Sequence, residues 1–163
     1  MSATLLARSL RATADFFLPS ICVACERPAD GRDGGLVCAL CWSRLAHLAA
    51  PQCSRCGHPT AGRRCGFCEA FPPVGRAVRA VCWVPHEVGS AVVHSLKYHG
   101  WTGAAHDMAA RMARLEWPRD VVAERGALVP VPLAAPRERE RGFNQAALLS
   151  DALSAHWRIP VWR

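Results

Sequence analysis

Apolar residues recur every three or four positions in four segments of this chain, the spacing that places them on one face of an α-helix. The pattern predicts helices within residues 1–19, 86–99, 103–115 and 145–156. The first is a short amphipathic helix ending at Pro19, and packing against a neighbouring module explains its apolar face better than membrane contact does. Asn144 is a typical N-cap for the last helix, because its side chain can accept a hydrogen bond from the first turn.

Two other apolar runs have the character of β-strands. Residues 76–84 are rich in valine and end before Pro85, and residues 127–133 form a short run that predicts a buried strand. Residues 137–142 read as a charged loop, and residues 158–163 as the beginning of another strand. The order strand, helix, strand predicts the start of a parallel α/β sheet. Such a sheet needs more strands and a covering layer, so the sequence predicts an incomplete one.

Residues 20–72 differ in composition from the rest of the chain. They are rich in Gly, Pro and Cys and nearly lack long periodic apolar segments, so this stretch needs a metal to fold. After Pro72 the composition changes to Val, Ala and Leu. We therefore divide the chain into an N-terminal helix (1–19), a metal-binding module (20–72) and an α/β domain (73–163).

Four Cys-x-x-Cys pairs stand in succession within the metal-binding module. Two thiolates separated by two residues can lie on one tight turn and reach the same tetrahedral ion, and two such turns complete a site. Since protein ligands fill all four positions, the sequence predicts two structural zinc ions rather than catalytic ones. The predicted ligands are Cys22, Cys25, Cys38, Cys41, Cys53, Cys56, Cys65 and Cys68.

Spacing alone leaves several questions about these cysteines open. Sequential pairing of the four turns is the simplest arrangement, and an interleaved one would use the same ligands. Iron would accept the same thiolates, and a redox role is the alternative to metal binding. The ninth cysteine, Cys82, lies alone in an apolar run and reads as a core thiol.

The formal net charge of +7 overstates the basic character of the chain. Eight thiolates with two Zn²⁺ ions would reduce it to about +3, which argues only weakly for a nucleic-acid partner. Arginines and an aspartate interrupt the first twenty residues, which is not typical of a signal peptide, and no apolar run predicts membrane insertion. We therefore expect a reducing cytoplasm, where paired cysteines usually hold metal.

A combination of motifs resembles the ComF family of competence-associated proteins. The motifs are the four Cys-x-x-Cys pairs, SLKYHG at 95–100, LVPVPL at 128–133 and RERGFNQAALL at 139–149. The resemblance implies a double zinc ribbon joined to a type I phosphoribosyltransferase-like domain, and a role in DNA uptake during natural transformation. It also implies two partners, single-stranded DNA and a competence helicase.

The chain departs from the family at the phosphoribosyl pyrophosphate (PRPP) loop, which in the family contains two adjacent acidic residues. No two acidic residues are adjacent in this sequence. We therefore expect a C-terminally truncated form that lacks the loop, with PRPP and Mg²⁺ as ligands of a full-length form only. The sequence identifies no catalytic residue.

By resemblance, the loop after the VPVP segment lies where the family fold contacts pyrophosphate. The candidate phosphate ligands are Arg137, Arg139, Arg141, Asn144 and Lys97. The planar guanidinium group of arginine suits phosphate oxygens. These arginines also precede the N-terminus of a predicted helix, which itself favours anions. The alternative is a solvated loop in which glutamates neutralise the arginines, with Lys97 interacting only with the end of its own helix.

For nucleic acid, Arg63 and Arg64 between the third and fourth cysteine pairs are the candidate phosphate contacts. The six tryptophans are scattered, so packing explains them better than base stacking. Three hypotheses follow: a DNA-uptake accessory protein, a phosphoribosyltransferase if its missing part is restored, and a non-functional truncated product. The sequence does not determine the oligomeric state.

Overall fold

The computed structural model describes residues 20–29, 36–60, 65–69, 72 and 74–163. The predicted helix within residues 1–19 and the candidate ligands Arg63 and Arg64 lie outside these ranges. The described helices are α1 (Ala39–Ser43), a 3₁₀ helix (Gly66–Glu69), α2 (Glu87–Tyr98), α3 (Ala104–Ala113), α4 (Arg119–Glu124), α5 (Ala135–Arg141) and α6 (Gln145–Trp157).

Three helices predicted from apolar periodicity are confirmed within two residues at each end. They are α2, α3 and α6, and the side chain of Asn144 accepts a hydrogen bond of 2.8 Å from the Ala146 amide, as an N-cap does. The short helices α1 and α4 were not predicted, because five or six residues carry too little periodicity to be read from sequence.

The prediction of a charged loop at residues 137–142 is wrong. Residues Ala135–Arg141 form α5, which has a proline in its first turn and ends at Gly142. Gly142 has a φ of +80°, the left-handed conformation that commonly ends a helix. The loop prediction rested on charge density, but charged residues with a suitable start and stop form an exposed helix equally well.

The predicted strands are also corrected in part. Residues 76–84 are not paired in a ladder, since the amides of Val78 and Trp83 instead donate to carbonyls of the metal-binding module. Residues 127–133 make one parallel bridge, between Leu128 and Val161. The prediction that this run is buried is wrong, since Val129 is 70% exposed. In the described residues the single bridge to Val161 does not extend into a sheet that would cover it.

The first cysteine module and the helical region share one apolar core. Cys22, Cys38 and Cys41 are buried against Val88 and Val92 of α2. This core joins the first four cysteines to residues of α2 that lie more than forty positions further along the chain, so the two regions stabilise each other. The boundary predicted at residue 72 remains a prediction.

Helices α3 and α6 pack closely through small residues. Ala109 of α3 is buried with Ala152 and Leu153 of α6, and alanine allows the two backbones to approach. The guanidinium of Arg111 lies 3.5 Å from the centroid of the Trp42 ring, which ties α3 to α1. Within the described residues, none of the helices has the length and hydropathy that a membrane span requires.

Candidate metal centres and a basic cleft

The eight predicted ligands form two four-cysteine groups, and the first cysteine of each lies in a turn of the same construction. The Cys22 amide donates to the Arg27 carbonyl at 2.8 Å, and the Glu26 amide returns to the Cys22 carbonyl at 2.8 Å. The second group has the same two bonds: the Cys53 amide donates to the His58 carbonyl at 2.9 Å, and the Gly57 amide donates to the Cys53 carbonyl at 3.0 Å. Glu26 and Gly57 occupy the same left-handed position, with φ of 58° and 71°. The turns bring together the two thiols of the first pair in each group, Cys22 with Cys25 and Cys53 with Cys56.

The structure supports the sequential pairing that spacing alone left open. The first four-cysteine group contains Cys22, Cys25, Cys38 and Cys41, and the second contains Cys53, Cys56, Cys65 and Cys68. Within each group, all four sulfur atoms lie within 4.8 Å of one another. An interleaved arrangement would need sulfur atoms from different groups to come this close.

The sulfur distances fit a tetrahedral metal ion. Four ligands at about 2.3 Å from zinc lie about 3.8 Å from one another. The Cys25 and Cys38 sulfurs are 3.8 Å apart, and the Cys53 and Cys68 sulfurs are 3.4 Å apart. Closed sets of four thiols are the ligands of structural zinc, so the two groups are consistent with two structural zinc ions.

The electrostatics of each group also favour a cation. Burial raises the pKa of Cys22, but backbone amides, foremost that of Cys38, outweigh it and lower the pKa to about 7. Backbone amides lower the pKa of Cys53 to about 6. Burial and the neighbouring thiols raise the pKa of Cys41, and a hydrogen bond with Cys53 raises that of Cys68 to about 12. A divalent cation allows all four thiols of a group to ionise together.

The two groups differ in burial. Cys22 and Cys41 of the first group are 0% and 3% exposed, inside the core shared with α2. All four cysteines of the second group are only half-buried. The first group therefore holds the core together, whereas the second forms a surface lobe.

A cleft of about 140 Å³ brings three of the five predicted phosphate ligands together. Lys97 at the end of α2 faces Arg137 and Arg141 of α5 across it. The Arg141 guanidinium lies 5.6 Å from the centroid of the Tyr98 ring and donates to the side chain of Gln145. We call this site the basic cleft; its lining is Lys97, Tyr98, Gly100, Arg137, Glu140, Arg141 and Phe143.

The other two predicted phosphate ligands do not line the basic cleft. Arg139 is exposed on α5, and no described ion pair or hydrogen bond involves its side chain. Asn144 caps α6 with its oxygen and donates its amide to the Val131 carbonyl at 3.0 Å, so its polar atoms serve the fold.

Sequence reasoning missed the aromatic side of the basic cleft. Tyr98 is 60% exposed and Phe143 is half-buried, and both line it beside the cations. Each lies within two positions of a basic residue in sequence, but only the packing of α5 against the end of α2 brings the two rings into one site.

The fold and the paired four-cysteine groups define a zinc-ribbon protein with a helical region attached. Residues 13–71 match the family model of the double zinc ribbon domain. The match spans all eight cysteines of the two groups, so this part of the chain is a double zinc ribbon.

Most of the chain resembles proteins named for DNA use and competence. It is 32% identical over 155 residues to the DNA utilization protein YhgH of Salmonella typhimurium, covering 89% of this chain and 64% of that protein. The Escherichia coli K12 protein of the same name is 31% identical over 156 residues, with the same coverage. Competence protein ComFC of Bacillus subtilis is 28% identical over 138 residues, covering 78% of this chain and 55% of that protein.

The resemblance to the ComF family predicted from the sequence motifs is thereby confirmed. The chain spans 64% of the length of the YhgH relatives. No solved structure matches it. The phosphoribosyltransferase-like α/β domain is not confirmed, because the described residues form a helical region with isolated bridges.

Proposed function

We propose that this protein is a ComF-like accessory protein of DNA uptake that binds single-stranded DNA, and that two zinc ions stabilise its ribbon module. The observation that carries the proposal is the basic cleft. Relatives named for DNA utilization and competence support the same role.

The charges of the basic cleft suit a polyanion. Lys97, Arg137 and Arg141 contribute three positive charges, and among the described residues that line the cleft only Glu140 carries a carboxylate. The cations come from two helices distant in sequence, so a backbone phosphate between them is held from both sides. Guanidinium groups bind phosphate oxygens with directed hydrogen bonds, and the lysine adds a point charge.

The aromatic residues of the cleft favour a single strand over a duplex. Tyr98 exposes 60% of its surface beside the cations, and a ring at that position can stack on an unpaired base. Bases in a duplex are already stacked on each other and have no free face to offer. A positively charged groove with a stacking ring is the usual combination in proteins that bind single strands without sequence preference.

The test is fluorescence anisotropy with a labelled oligothymidylate across a salt series. Three phosphate contacts on a single strand give a slope of about −2 in log affinity against log salt. Arg137→Ala is expected to weaken binding and to reduce that slope by about 0.7. Arg139→Ala is the matched control, because Arg139 lies on the same helix but outside the cleft.

Two outcomes contradict the proposal. One is affinity that does not change with salt. The other is an equal effect of Arg137→Ala and Arg139→Ala, which would mean that α5 contributes only diffuse charge. An intact helical circular dichroism spectrum in both variants excludes misfolding as the cause.

A second candidate function, phosphoribosyl transfer by a longer form of the protein, is favoured by one observation. The parallel bridge between Leu128 and Val161 spans α5 and α6, as expected where a strand, a helical crossover and a parallel strand begin a sheet. Calorimetric titration with PRPP and Mg²⁺ tests it. Mg²⁺-dependent binding supports this function, and no binding by a chain extended to the relatives' full length excludes it.

A further inference from the structure

We propose that the second four-cysteine group carries an aromatic platform, made of His58, Phe67 and Trp83, on which unpaired bases of single-stranded DNA stack. This inference rests on the proposed function, since it adds a base-binding surface to a protein whose basic cleft binds the backbone. Nothing in the family match or in the names of the relatives assigns these three residues a role.

The three rings form one cluster at the surface, in which the half-buried His58 contacts two exposed rings. The His58 and Phe67 ring centroids are 3.9 Å apart with an interplanar angle of 35°, and Trp83 meets His58 edge-on at 6.2 Å. Phe67 is 64% exposed and Trp83 is 46% exposed. Large apolar side chains that cluster on a surface mark an interaction site, whereas scattered ones do not.

The metal-binding turns hold the platform in place. Phe67 lies in the 3₁₀ helix between Cys65 and Cys68, and His58 follows the left-handed Gly57 in the opposite turn. A Cβ at position 57 would lie 2.5 Å from the carbonyl oxygen of Val78, so only glycine allows the chain before Trp83 to pass this closely. Two rings are therefore fixed by one metal site.

The amide of Trp83 donates to the Ala46 carbonyl at 2.9 Å, which anchors the backbone of Trp83 to the chain between the two four-cysteine groups, and its ring meets that of His58. Rings that are already held in place lose little conformational entropy on binding, whereas a long flexible side chain loses more. A prearranged stacking surface follows from these contacts.

The chemistry of the platform favours bases over an apolar protein segment. All three side chains present π-systems, and every base offers a flat face for stacking, whatever its sequence. Two described arginines add positive charge to the same lobe, since Arg55 lies between Cys53 and Cys56 and the guanidinium of Arg79 donates to the Ser54 carbonyl at 2.9 Å. An apolar protein partner would gain from aliphatic anchors and has no need of this charge.

The experiment measures the affinity of the zinc-loaded full chain for oligothymidylate and for an abasic strand of equal length. Phe67→Leu and Trp83→Leu remove a ring but keep an apolar side chain, and Phe67→Tyr keeps the ring. Trp162→Leu is the matched control, since Trp162 is also 64% exposed but lines a different cleft, with Asn144 and Leu148, and is not among the rings that contact His58. Metal content and circular dichroism confirm the fold of each variant.

We expect Phe67→Leu and Trp83→Leu each to weaken binding of oligothymidylate about tenfold. Phe67→Tyr and Trp162→Leu should bind as the parent chain does, and the leucine variants should lose much of the preference for oligothymidylate over the abasic strand. Leucine variants that bind like the parent, while Arg137→Ala still weakens binding, overturn the platform and leave the proposed function intact. If the parent chain binds no oligothymidylate, both are overturned.

Discussion

The two four-cysteine groups have the same ligands and the same local turns, yet they relate to the rest of the molecule in opposite ways. Cys41 is 3% exposed and packs with Val92 of α2, whereas the cysteines of the second group are half-buried and belong to none of the described core clusters. Identical metal chemistry therefore serves a core in one place and a surface lobe in the other.

The flanking residues explain the difference. The first group is bordered by Val37 and Leu45, which are 5% and 6% exposed and extend the apolar surface around the sulfur atoms. The second group is bordered by Gln52, Ser54 and Glu69, which cannot be buried without partners. Burial of a metal site is thus decided by its neighbours and not by its ligands.

Metal removal should have the largest effect and should separate the two groups. A chelator is expected to take zinc from the exposed second group first, and release from the first group should then unfold α2. Structural zinc contributes about 10–16 kcal/mol of apparent free energy to small zinc domains, which is as large as the whole stability of a typical domain. Metal release followed with a chromogenic dye, beside circular dichroism, measures both steps.

Acid should act in the same direction, because protons compete with zinc for the thiolates. Without metal the pKa of Cys53 is lowered to about 6, so this sulfur is already a thiolate at neutral pH and protons compete with zinc for it only below that value. Release of both ions in one step, together with all helical structure, would contradict the difference between the groups.

Substitution of a single cysteine ligand should have a smaller effect than removal of both zinc ions, and it should distinguish the two four-cysteine groups. Cys41→Ser is expected to lose one zinc ion and to abolish the cooperative melting transition, because its sulfur lies in the core shared with α2. Cys68→Ser should also lose one ion but keep the helical transition. Metal analysis and thermal circular dichroism distinguish them, and equal losses of melting temperature would show that both groups support the core.

Substitutions of apolar residues should have a smaller effect than loss of a metal ligand. The core and the exposed lobe should then differ only in how much the free energy of unfolding changes. Leu96 is 2% exposed against Ala104 and Ala105, so Leu96→Ala should cost about 2–5 kcal/mol. Phe67→Leu on the exposed lobe should change the free energy of unfolding by less than about 0.5 kcal/mol. Urea denaturation measures both, and a cost for Phe67→Leu similar to that for Leu96→Ala would mean that the lobe belongs to the core.

The sequence was sufficient for features that depend on local spacing. Four Cys-x-x-Cys pairs predicted two four-cysteine groups, and apolar periodicity predicted α2, α3 and α6. Both signals are local, because the geometry of a tight turn or of one helix face is set by residues a few positions apart. The motifs at 95–100, 128–133 and 139–149 were sufficient for the family resemblance, which rests on order and identity alone.

Tertiary structure decided what no local signal records. It selected sequential pairing of the cysteine turns, buried one four-cysteine group and exposed the other, and set Lys97 opposite Arg137 and Arg141 while leaving Arg139 outside. It also brought Phe67 and Trp83 to the ring of His58. These juxtapositions join residues far apart in the chain. They depend on how whole elements pack, and the free energy of packing is shared among many contacts that no single spacing encodes.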